Sequence, residues 1–406
     1  MYIKRHIEPI IEKSKSGYPA VLIVGARQVG KSTVLRNLYP TMRYETLDDP
    51  FLLQAVEADT VGYLKLQGTP FIIDEVQRVP NLFLGLKYMI DTQKRDGMYL
   101  LTGSQKFELM KNVSESLSGR ISLINMLGLS SRELAGDDFC LPFLPTTDYL
   151  MSRNTKISND QALLWARIHR GSMPKLYDNP DLDWEQYYAG YVATYLERDV
   201  RQLEQVGDTL TFLQFMTALA SRTGELLNMN SIAQDIGVSA TTVKRWLTIL
   251  QQSNIIYLLQ PFSLNVGKRI IKTPKVYFTD TGLVCYLCKW LTPETLCNGA
   301  QAGGIFETYV VSELLKSYYN AGKEPPLYFF RDTNGREVDI LIYQNGTLYP
   351  IEIKKTSSPN VKDIKHFVAL KDSFPTAQIG EGGVICNQDR LLPLGDSNKI
   401  IPISYL

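Results

Sequence analysis

Gly25-Ala26-Arg27-Gln28-Val29-Gly30-Lys31-Ser32, with Thr33 behind it, decides the reading of this chain. It satisfies G-x-x-x-x-G-K-[ST] in full, directly after the apolar run AVLIV and ahead of a helical stretch, TVLRNLY. The glycines let backbone amides curl around phosphate oxygens, and the N-terminus of the next helix adds its positive end. The pattern assigns Lys31 to the β- and γ-phosphates of a nucleotide. It assigns the Ser32 hydroxyl to Mg²⁺, a hard cation that prefers oxygen ligands and keeps several waters. ATP and Mg²⁺ are therefore the expected cofactors, with residues 25–33 as the binding loop.

Working outward, the short apolar runs at 71–76 (FIIDEV), 98–103 (MYLLTG) and 121–127 (ISLINML) alternate with helical patterns. That alternation predicts a parallel sheet with crossover helices over residues 1–135. Asp74 ends the run FIID at the edge where open α/β sheets place their ligands, and is the expected second-shell carboxylate of the metal. Glu75 follows it and is the candidate general base for an attacking water. The bland reading of Glu75 is an exposed acidic loop residue. On the next strand Thr102, Ser104 and Gln105 could sense the γ-phosphate, and Ser104 is the one selected. Arg120, in SLSGRI, is either an arginine finger acting in trans, which would require an oligomer, or a surface salt bridge.

Residues 136–228 read as a linker followed by a helical connector, with turn formers and prolines over 137–160. Residues 229–298 read as a helix, a turn at GVS, the helix ATTVKRWLTILQQSN and an apolar strand, the order of a winged helix-turn-helix. Val243, Leu247 and Leu250 make a buried stripe, which leaves Thr241, Thr242, Lys244 and Arg245 for a groove, with Lys268 and Arg269 on the wing. The face is weakly basic, so duplex DNA and a protein partner both stay open.

The last unit, 299–406, contains Asn345-Gly346, the strongest short signal for a two-residue hairpin turn. Pairing about that turn sets Asp339 opposite Glu352 and Glu337 opposite Lys354, with Val338, Ile340, Ile342, Tyr349, Ile351 and Ile353 on the other face. Two like charges opposed on paired strands need a compensating cation. Lys354 or a metal could supply it. Asp339, Glu352 and Lys354, completed by Glu307, have the arrangement of PD-(D/E)XK nucleases, in which carboxylates hold Mg²⁺ and the lysine supports the attacking water. The alternative is a solvated salt-bridge face without catalysis.

Composition narrows the classes. The 406 residues carry 43 Lys+Arg against 42 Asp+Glu, so no global field draws the chain onto nucleic acid or anionic lipid. No apolar run is long enough to span a bilayer, and the N-terminus has no signal-peptide pattern, so a cytoplasmic protein without membrane attachment is expected. The five cysteines are scattered, as befits a reducing compartment. Cys285, Cys288 and Cys297 lack a nearby fourth ligand for zinc.

GARQVGKST, FIIDEVQRVPNLF, LLTGSQ, SLSGR, TYLERDV, TDTGL, FETYVVSELL and REVDILI with PIEIK together resemble a widespread prokaryotic family of AAA-type ATPases that carry a C-terminal domain of unknown function. The resemblance covers almost the whole chain. It implies an α/β architecture: a P-loop NTPase parallel sheet with helices on both faces, a helical and winged-helix middle, and a restriction-endonuclease-like α/β tail. LGLSSREL stands where such proteins more often have Pro-Leu-Ser-Phe-Arg-Glu-Leu. The expected function is an ATPase whose nucleotide state moves the C-terminal modules. The alternatives are a nucleotide-dependent switch that binds a protein partner, and a DNA-processing nuclease gated by ATP.

Overall fold

The computed structural model describes residues 2–104, 117–195, 209–264 and 273–406. Its first sheet comprises β1 (Ala20–Val24), β2 (Arg43–Thr46), β3 (Phe71–Asp74), β4 (Tyr99–Gly103) and β5 (Ile121–Asn125), in the order β2-β3-β4-β1-β5 with every pairing parallel. Strands β1, β3 and β4 are buried along their whole length, which is why they read as continuous apolar runs rather than alternating ones. The helices of this unit are α1 (Glu8–Gly17), α2 (Lys31–Leu38), α3 (Pro50–Ala58), α4 (Thr60–Gln67) and α5 (Leu82–Gln93). Leu22, Ile73 and Leu101 pack with α3 to α5, whereas Val21, Ile23, Ile72 and Leu100 face a second core on the other side.

That second core runs on through the rest of the molecule. After α6 (Ser131–Leu134), residues 137–160 are irregular apart from α7 (Thr147–Ser152), yet they are not a solvated linker. Phe143 is fully buried and its carbonyl accepts from Tyr318 Oη at 2.9 Å. The connector follows as α8 (Gln161–Arg170), α9 (Pro174–Asp178), α10 (Trp184–Tyr195) and α11 (Thr209–Ala220).

Next come α12 (Met229–Ile236) and α13 (Ala240–Gln252), capped by Asn228 and Ser239, then β6 (Ile256–Leu259) paired antiparallel with β7 (Lys275–Phe278). Side-chain oxygens at these caps satisfy amides that the first turn leaves unpaired. Lys268 and Arg269, expected on the wing, lie outside the described residues, as does Gln105.

Helices α14 (Thr281–Leu287), α15 (Pro293–Asn298) and the long α16 (Ala302–Tyr319) lead into the last sheet. Its strands are β8 (Leu327–Arg331), β9 (Glu337–Gln344), β10 (Thr347–Lys354), β11 (Gln378–Ile379), β12 (Gly382–Cys386), β13 (Leu392–Leu394) and β14 (Asn398–Pro402), with α17 (Val368–Ser373) between β10 and β11. The order is β13-β14-β12-β10-β9-β8 with β11 beside β10; β10, β12 and β14 are parallel, and β8, β9 and β10 antiparallel. The hairpin turns at Asn345 and Gly346, both at positive φ (51° and 80°), in the register the turn chemistry implies. One detail departs from strict alternation. The β8–β9 register shifts between Tyr328 and Phe330, and Val338 packs with Leu341 and Leu348 instead of with Ile340 and Ile342. A bulge inserts one extra residue and flips the strand beyond it.

Candidate nucleotide site and C-terminal carboxylates

The loop between β1 and α2 needs its two glycines for different reasons. A Cβ on Gly25 would sit 2.1 Å from the Met126 carbonyl oxygen, and Gly30 has φ of 96°. Gln28 is also left-handed, at φ 63°. Lys31 is buried, and its ammonium donates to the carbonyls of Gly25 at 3.0 Å and Ala26 at 2.8 Å. Backbone curvature of this kind turns amides inward and makes an anion cradle.

Asp74 ends β3, one strand away from β1 across β4. Its Oδ2 accepts from Ser32 Oγ at 2.8 Å and from Tyr44 Oη at 2.6 Å, while Thr102 Oγ1 donates to Oδ1. Burial and the Asp74 carboxylate push the Tyr44 phenol well above its ordinary range, so it stays a donor. A hydroxyl and a carboxylate in contact are the oxygen donors that Mg²⁺ takes alongside phosphate and water. The donor set fits that ion.

Glu75 sits at φ 57°, a conformation that strains a residue with a Cβ. Its Oε2 accepts from Ser104 Oγ at 3.3 Å and from the Gln77 amide, which also reaches Ser104 Oγ at 3.2 Å. Ser104 is thus placed beside Glu75. Arg120 instead pairs with Asp91 on α5 at 2.6 Å, both side chains partly exposed.

These groups open into a cavity of about 690 Å³ lined by Arg27, Gln28, Gly30, Lys31, Ser32, Thr33 and Glu75. The rest of its lining comes from outside the sheet and the phosphate loop. Pro174, Lys175 and Asp178 come from α9, and Tyr2, Ile3 and Arg5 from the N-terminal segment. Arg5 is buried and donates to Val29 O, Leu127 O and Gly128 O, while its Nε meets Glu133 at 2.9 Å. Burial works against the Glu133 charge, but the Arg5 guanidinium and the backbone amides of Ser130 and His6 hold its carboxyl below the usual range.

Ser130 caps α6 reciprocally with Glu133, so the SREL turn is fixed without the proline and phenylalanine of the commoner pattern. From it, Ser131 N donates to Glu313 at 2.8 Å and Arg132 Nε to the Leu406 carbonyl at 2.7 Å. Tyr44, Gln77, Arg5 and the α9 wall carry no local motif. Only the placement of β2, the turn after β3 and two distant segments reveals them.

In the C-terminal sheet the expected group does assemble, with an addition. The β9–β10 ladder ends at Ile340 and Ile351, so the expected pairing of Asp339 with Glu352 and of Glu337 with Lys354 falls just beyond it. Lys354 Nζ lies 2.8 Å from Glu352 and 3.6 Å from Asp339, whose Oδ2 also accepts from Ile353 N at 2.9 Å. Burial and the Asp339 charge push the Glu352 carboxyl up to about 8, and the same causes raise that of Glu307. Lys275 of β7 enters from outside this sheet: it is 2.7 Å from Glu337 and 3.2 Å from Glu307, with Tyr277 Oη 2.5 Å from the same Glu307 oxygen. Among the described residues no three His, Cys, Asp or Glu side chains are disposed to hold a metal ion.

On α13, Thr241, Lys244 and Arg245 are exposed, and Val243, Trp246, Leu247, Ile249 and Leu250 are buried. Among the described residues no helix is long and apolar enough to cross a membrane.

Family comparison matches residues 17–135 to an AAA domain, 161–294 to a domain of unknown function (DUF8612) and 302–406 to another (DUF4143). Uncharacterized proteins of Mycobacterium tuberculosis and Mycobacterium bovis are each 28% identical over 389 residues, spanning 96% of this chain and 81% of theirs. Among solved structures, a Walker-type ATPase of Pyrococcus abyssi aligns at TM-score 0.43 and 15% identity, over 70% of this chain and 96% of its own. The Thermotoga maritima RuvB Holliday junction branch migration motor aligns at 0.30 and 15%, over 62% and 88%.

Proposed function

We propose that this chain, whose residues 17–135 match an AAA domain and residues 302–406 a domain of unknown function (DUF4143), binds ATP with Mg²⁺ and hydrolyses it, transmitting nucleotide state to its C-terminal modules. One observation carries the reading. Glu75 is held by Ser104 and Gln77 directly after the Asp74 that contacts Ser32, at the mouth of the phosphate-cradling loop.

In this reading Lys31 exchanges the Gly25 and Ala26 carbonyls for phosphate oxygens, and the amides of residues 25–33 cradle the β- and γ-phosphates. Ser32 and Asp74 would hold Mg²⁺, whose charge would offset that of the transferring phosphoryl group. Glu75 orients the attacking water and takes its proton. Arg120, tied to Asp91, supports a surface role over a finger acting in trans. The route outward runs from Val29 through Arg5 and Glu133 to α6, and from Ser131 to Glu313 on α16, a contiguous chain of buried hydrogen bonds.

The C-terminal modules support two partners. An exposed Thr241, Lys244 and Arg245 on α13 could meet duplex DNA. The packing of α16 and the last sheet into the core shared with the connector favours a switch that presents a protein-binding scaffold. Buried free thiols such as Cys285 and Cys386 fit a reducing cytoplasm.

The test is equilibrium binding of ATP beside single-turnover hydrolysis, in wild type and Glu75→Gln. The proposal expects Glu75→Gln to keep its affinity for ATP and lose turnover. Equal turnover in the two proteins would reject Glu75 as the base.

A further inference from the structure

We infer that the C-terminal carboxylate cluster already holds its cation, and that this cation is the ammonium of the chain's own Lys275. The inference does not depend on ATP turnover. Lys275 opens β7, outside the strands and helix that carry the carboxylates, and only 4% of its surface is exposed. Its Nζ lies 2.7 Å from Glu337 Oε1, 3.2 Å from Glu307 Oε1 and 4.0 Å from Asp339 Oδ1. Tyr277, two residues along, donates to that same Glu307 oxygen. Lys354 closes the other side against Asp339 and Glu352. Asp339 is thus flanked by an ammonium on either side, and its second oxygen also accepts a backbone amide.

A divalent cation in this group would need the oxygens of Asp339, Glu307 and Glu352 at about 2.0–2.6 Å, depending on the ion. It would lie within a few ångströms not only of Lys354, which the nuclease arrangement includes, but also of the buried Lys275 ammonium, which it does not, and repulsion from a buried charge is poorly screened. Nor can Lys275 simply withdraw. Its backbone is fixed by pairing with Leu259 and bridging to Leu226, and its side chain passes the Phe329 ring, with Nζ 5.8 Å from the centroid. The residues therefore do not fit the metal of a PD-(D/E)XK centre. They fit an internal ion pair that docks the β6–β7 unit onto the C-terminal sheet.

The experiment is a Mn²⁺ titration of the full chain without nucleotide, read by electron paramagnetic resonance, with supercoiled plasmid and Mn²⁺ in parallel. Wild type and Asp339→Asn should bind Mn²⁺ alike, and neither should show cleavage that depends on Asp339. Lys275→Met removes the charge at similar volume and should gain a Mn²⁺ site that adding Asp339→Asn abolishes. Tenfold weaker Mn²⁺ binding by Asp339→Asn than by wild type would overturn the inference, as would plasmid cleavage that Asp339→Asn removes. So would a folded Lys275→Met chain with no added Mn²⁺ site. If Lys275→Met does not fold, the wild-type and Asp339→Asn pair still decides.

Discussion

Ser32 and Tyr44 both donate to one oxygen of Asp74, at 2.8 Å and 2.6 Å, although they stand on different elements of the P-loop unit. With Thr102 on the other oxygen, the carboxylate is fixed in orientation before any ligand arrives. Tyr44→Phe removes one hydrogen bond and keeps the ring under Arg36, whose Cζ is 5.2 Å from its centroid. A hydrogen bond to a charged acceptor is worth about 1.5–3 kcal/mol, part of which water recovers. We expect the Mg²⁺ concentration for half-maximal hydrolysis to rise roughly tenfold, with the maximal rate little changed. A Mg²⁺ titration at fixed ATP checks this, and an unchanged midpoint would remove Tyr44 from the account.

Gln77 acts through Glu75. Its amide bridges Glu75 and Ser104, so Gln77→Ala frees a side chain that starts from a strained backbone. The expected loss in kcat is about tenfold, against ~10²–10⁴-fold for Glu75→Gln, with KM for ATP unmoved in both. Parallel kinetics on the two variants separate orientation from proton transfer. Equal losses would mean that Gln77 does more than orient.

The Arg5–Glu133 pair carries a stability prediction. Breaking a buried pair by removing one partner costs about 3–5 kcal/mol, so Arg5→Ala should lower the unfolding free energy by that order. The Glu133 carboxyl is held below its ordinary value of 4.5 in the folded chain, so its contribution is complete above that value and lost as pH falls through the folded one. Glu133→Gln should be less stable than wild type at neutral pH and closer to it in acid. Denaturant unfolding from pH 3 to 7 would contradict this if the two curves stayed parallel.

At the hairpin, Gly346 has φ of 80°, so Gly346→Ala should cost about 1 kcal/mol. Thermal unfolding measures it, and a neutral substitution would show that the turn can relax.

Much of this was legible because the relevant chemistry is contiguous in the chain. Residues 25–32 carry their own geometry, Asp74 and Glu75 end a strand visible as an apolar run, and Asn345-Gly346 fixes a register by turn type alone. Tyr44, Arg5 and Lys275 were not legible, for one shared reason. Each is an ordinary polar residue in its own segment and acquires its role only from a partner brought close by the fold. Val338 was misplaced because the bulge opposite β8 leaves no mark in the pattern. Residues 137–160 look like a linker by composition, and it is Phe143 and Tyr149 that anchor them.

The α13 face gives a separate prediction. If Lys244 and Arg245 meet phosphates, replacing both by Ala should flatten the dependence of log K on log salt by about 2 for duplex DNA. Binding isotherms across a salt series measure this. No association at low salt would leave the protein partner as the reading.

The most direct measurement is steady-state ATP hydrolysis by the full chain with Mg²⁺, with and without duplex DNA, beside Lys31→Ala and Glu75→Gln. The account predicts Mg²⁺-dependent turnover that both substitutions reduce by at least about a hundredfold. ATP binding without turnover under every condition, or turnover that survives both substitutions, would contradict it.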